Sequence, residues 1–147
     1  MSEMLGNHYF LSRNFTQAID AYTRAFDNDY PANVLKKLII CHITQGNLTT
    51  AQNYLIKLIK EYPLTIINKD IKDEDCPCPE LIKSLENNFN PPKSSDDIIN
   101  LGMLWLYCDI EVSLKYFEEA QKIETENKFL NNVIGLINKH ILINKKG

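Results

Sequence analysis

Two thiols stand two residues apart in Asp75-Cys76-Pro77-Cys78-Pro79-Glu80, where residue type and spacing most directly suggest chemistry. Thiols so placed could share a soft metal ion or close into a strained redox couple. A closed zinc site needs four ligands. The other candidates, Cys41, Cys108, His8, His42 and His140, fall in segments that read as helices and lack the spacing of two to four residues such sites use. The flanking acids also raise a thiol pKa, which works against a reactive thiolate. Cys76 and Cys78 therefore read as structural thiols in a proline-stiffened loop, and no metal or other cofactor is expected. A metal- or redox-responsive loop is the alternative.

Nothing else in the sequence assembles into a catalytic set. A Gly-rich phosphate loop, a nucleophile with its base and an HExxH helix are all missing. Asp96/Asp97 and Glu118/Glu119 are neighbours in sequence, so on a helix their carboxylates diverge instead of flanking one bond. No enzymatic activity is expected. A net charge of −3 and a pI near 5.6, with Arg13 and Arg24 the only arginines, leave no electrostatic footprint for nucleic acid. The longest apolar stretch, Ile98 to Cys108, is interrupted by Asn100 and is too short to cross a bilayer. Met1-Ser2-Glu3-Met4 lacks the basic-then-apolar pattern of a secretory leader. These features predict a cytoplasmic protein with reduced thiols.

The chemistry that remains is recognition, which requires a surface built by regular elements. At 147 residues the chain is long enough for one domain with a contiguous core. It carries an internal repeat. Asn14-Phe15-Thr16-Gln17-Ala18 recurs in pattern as Asn47-Leu48-Thr49-Thr50-Ala51 and, more loosely, as Asp109-Ile110-Glu111-Val112-Ser113. Ala18 and Ala51 are 33 positions apart (51 − 18), and each small residue is followed at plus four and plus seven by Tyr22 and Ala25, Leu55 and Leu58, or Phe117 and Ala120. Such offsets lie on one face of a helix.

With Leu5-Gly6, Tyr9, Ala18, Tyr22, Ala25 and a closing Pro31, the first repeat resembles the tetratricopeptide repeat (TPR) family. The third, with Leu101-Gly102, Trp105, Ser113, Phe117 and Ala120, is similar, and its inter-helix turn reads one residue shorter. The second keeps Ala51 and Pro63 but has Ile39 in the glycine position and His42 in the aromatic one. The resemblance implies an all-α, TPR-like α-solenoid of antiparallel helical hairpins. Repeat one spans 1–30, repeat two 31–63, an irregular insertion 64–97, repeat three 98–124 and a C-terminal capping helix 125–147. Inside the insertion, Ser94-Ser95-Asp96-Asp97 has the hydroxyl and acids that open a helix.

The same resemblance implies a concave groove lined by the first helix of each hairpin. Transferred residue by residue, it places Glu3, Asn7 and Phe10, then Lys36, Lys37, Ile40 and Ile43, then Met103, Leu106 and Tyr107 in that groove. A face of this kind, largely apolar with charges at its edge, suits an amphipathic helix or an internal apolar peptide. Those apolar residues could equally pack under the insertion or against the C-terminal helix. Gly6-Asn7 matches part of the clamp by which some family members hold an acidic chaperone tail. Glu3 and Lys37 depart from that clamp, and a like charge at Glu3 would oppose a ligand carboxylate. The expectation is a scaffold or adaptor that binds a protein or peptide partner, not nucleic acid or membrane. A permanent subunit of a larger assembly is the alternative.

Overall fold

The computed structural model describes residues 2–63, 80, 82–83, 94–107 and 109–142. These residues are all-α, with no strand among them. The chain divides into two compact units, Met1–Thr65 and Ile66–Gly147. In the first, α1 (Ser2–Leu11) pairs with α2 (Phe15–Phe26), and α3 (Ala32–Thr44) pairs with α4 (Leu48–Glu61). In the second, α5 (Ser95–Trp105) pairs with α6 (Ile110–Ile123), and α7 (Lys128–Leu136) packs on α6 before running into a π-helical turn, Ile137–Leu142. No helix among the described residues is long and apolar enough to cross a membrane.

Each helix of the first unit ends where its backbone donors find local acceptors. At the end of α1, Asn14 N–H reaches back to Tyr9 O at 2.8 Å and Arg13 N–H to Phe10 O at 3.0 Å, with Arg13 left-handed at φ 64°. At the end of α3, Asn47 N–H reaches His42 O at 2.8 Å and Gly46 N–H reaches Ile43 O at 3.2 Å, with Gly46 at φ 79°. This paired closure satisfies the last carbonyls of a helix and requires one left-handed residue. Every participant in the second turn lies 33 positions after its counterpart in the first (46 − 13, 47 − 14), so the sequence repeat is a repeat of backbone geometry.

The hairpins close through side-chain fit. A Cβ at Gly6 would lie 2.9 Å from Cζ of Tyr22 and closer still to the ring's near edge; at Gly102 it would lie 2.7 Å from Cε1 of Phe117. Both rings are fully buried. The glycines therefore let an aromatic ring lie flush against the opposing backbone. In the middle hairpin the corresponding pair is Ile39 and Leu55, both buried, and bulk moves from the ring to the formerly empty position. The third hairpin adds a polar latch: Ser113, buried in the place of Ala18, donates its hydroxyl to Gly102 O at 2.5 Å.

Its turn is one residue shorter, as the sequence suggests. Asp109 N–H bonds to Trp105 O, four residues back, and Asp109 is extended. Its carboxylate accepts from the amides of Glu111 at 3.0 Å and Val112 at 3.3 Å, a side-chain N-cap. Ser94 caps α5 by accepting from Asp97 N–H, and Asn127 caps α7 by accepting from Leu130 N–H. Asn14 and Asn47, by contrast, make no side-chain cap bond. Their place in the turn is set by their backbone amides.

Candidate functional site

The first unit brings part of the expected groove together. Glu3 Oε2 accepts a hydrogen bond from Asn33 Nδ2 at 3.3 Å, and Asn7 Oδ1 accepts one from Lys37 Nζ at 3.1 Å. Both bonds join α1 to α3 between residues 30 apart, a constant separation that requires the two helices to run in the same direction. Asn7 is held from a second side, since Tyr22 donates its hydroxyl to the same Oδ1 at 2.5 Å. The Lys37 ammonium also sits 5.8 Å from the centroid of the Phe10 ring, within cation–π range.

These contacts orient a polar row. Glu3, Asn7 and Lys37 are half-buried and hydrogen-bonded, and Lys36 beside them is half-buried as well. The apolar members of the predicted groove are placed differently. Phe10, Ile40 and Ile43 are buried, as are Met103 and Leu106 in the second unit, while Tyr107 is half-buried. What the named residues of α1 and α3 offer to solvent is therefore amide, ammonium and carboxylate, with Phe10 as a buried support. The row's two cross-helix bonds escape a repeat-based reading because they join non-equivalent positions: Lys36, not Asn33, is the counterpart of Glu3 (36 − 3 = 33).

Three titratable groups of the unit, Cys41, His42 and Tyr54, are shifted toward their neutral forms. His42 occupies the place of Tyr9 and is buried; its Nδ1 lies 3.2 Å from Asn47 Nδ2, a contact that places the ring proton on Nε2. Its ring meets Tyr54 edge-on at 5.6 Å, and Tyr54 meets Tyr30 at 5.9 Å. Burial lowers the His42 pKa from 6.5, and burial followed by the proximity of Tyr30 raises that of Tyr54 from 10.0. Burial pushes the Cys41 thiol up to about 12. Cys41 is thus a protonated core side chain and no nucleophile near neutral pH.

Cys76, Cys78 and Cys108 lie outside the described residues. Among the described residues, no three His, Cys, Asp or Glu side chains are grouped to hold a metal ion. Comparison with models of protein families, with curated proteins and with solved structures finds no match for this chain.

Proposed function

We propose that this chain is a TPR-like interaction module that holds a segment of a partner protein along the α1–α3 face. The observation that carries this reading is Asn7, whose amide oxygen is fixed by both Tyr22 and Lys37 at a half-buried position on two parallel, adjacent first helices. Polar groups oriented before a ligand arrives lose less freedom when it binds, which is how a small surface gains affinity and selectivity. The 33-residue register of the two turns supports the repeat assignment, since one hairpin placed after another in constant register is how helical arrays extend a binding face.

Ile43 is a poor probe of this surface. At 8% exposure, an aspartate in its place would bury a charge and destabilise the unit as a whole. The informative variant is Lys36→Glu/Lys37→Glu, with Lys60→Glu on the exposed side of α4 as control. Affinity capture from the native source, quantified for each co-purifying protein, should show at least one that is retained by the wild type and the control and lost, tenfold or more, by the double variant. Melting temperatures must agree for the comparison to count. Equal capture by all three chains would reject the α1–α3 face.

The permanent-subunit reading has its own support. Met4, Leu5 and Leu11 expose 80%, 48% and 50% of their surface on α1, apolar area that is costly to leave in water. A permanent subunit should self-associate or precipitate when expressed alone and recover on co-expression with its partner.

A further inference from the structure

We draw no further inference here: the strongest candidate, the set of exposed apolar side chains Met4, Leu5 and Leu11 on α1, carries nothing because nothing in the structure shows what covers it.

Discussion

The first and second hairpins share a turn to within a few tenths of an ångström in their hydrogen bonds, yet many of their corresponding positions hold unlike residues. Gly6 becomes Ile39, His8 becomes Cys41, Tyr9 becomes His42, Arg13 becomes Gly46 and Tyr22 becomes Leu55, each 33 positions on. The backbone course is held by amide-to-carbonyl bonds that most residues other than proline can make, given one left-handed position. The gap between helices is held by complementary volumes, and a swap on one side survives because the other side swaps too. Repetition in such a chain is therefore a property of turns and spacings first, and of particular side chains second.

The largest expected effect tests that coupling. Gly6→Ala gains roughly 1 kcal/mol of helix propensity but drives a methyl into the buried Tyr22 ring, which should cost about 2–3 kcal/mol. A net loss of about 1–2 kcal/mol in denaturant unfolding follows. Gly102→Ala against Phe117 should behave alike. Combining Gly6→Ala with Tyr22→Leu, which imitates the middle hairpin, should cost at least about 1 kcal/mol less than the two single losses together. Strict additivity would show that glycine and ring are not a matched pair.

The next two effects separate the hairpins by pH. Exposed His8 has the buried thiol Cys41 as its counterpart, and Cys41 is protonated in the fold up to about 12 against 9.0 unfolded. The folded chain therefore holds a proton that the unfolded chain releases above pH 9.0, so stability is complete below that pH and declines as pH rises toward 12. At one unit above the unfolded value the loss is about 1.4 kcal/mol. Wild type should therefore lose more stability than Cys41→Ala between pH 8 and pH 10 (about 1.4 kcal/mol by linkage), measured as the difference between their urea midpoints multiplied by their slopes. Parallel pH profiles would contradict the buried, neutral thiol.

His42 acts with the opposite dependence. Its folded pKa lies below 6.5, so the unfolded chain takes up the proton first and stability falls as pH drops below 6.5. His42→Phe keeps a ring against Tyr54 and removes the titration, at the expense of the Asn47 contact. The variant should be less stable than wild type at pH 7.5 by about 1 kcal/mol. That gap should narrow toward pH 5. A gap of constant size would mean that the imidazole is as easily protonated in the fold as out of it.

The sequence made the repeat legible where spacing alone decides. The 33-residue step, the shorter turn before Asp109 and the helix start at Ser94 all follow from residue type and offset. Burial was less legible. The resemblance to tetratricopeptide repeats implies that Ile40 and Ile43 face a groove, but α3 buries every residue from Leu38 to Ile43, so a face expected to meet a ligand is packed instead. Which sides of a helix are covered depends on how many neighbours it acquires, and single-helix periodicity holds no such count. The polar row was named residue by residue except for Asn33, whose partner Glu3 lies on another helix at a separation that the repeat does not predict.

The smallest effect isolates the turn from the packing. Arg13 sits at φ 64° where its counterpart Gly46 sits at φ 79°, and a side chain in that region costs roughly 1–2 kcal/mol that glycine avoids. Glycine gives back about 0.5–1 kcal/mol through the greater freedom of the unfolded chain. Arg13 also directs its guanidinium to the carbonyls of Phe10 and Leu11, both at 3.4 Å, weak bonds whose loss further trims the gain. Arg13→Gly should consequently stabilise the first unit by no more than about 1 kcal/mol. Gly46→Ala should destabilise by about 1 kcal/mol, and purely through backbone strain, because a Cβ at Gly46 meets nothing within 4 Å. If Gly46→Ala proved harmless while Arg13→Gly was costly, the two turns would not be energetically equivalent, and the common register would describe their shape alone.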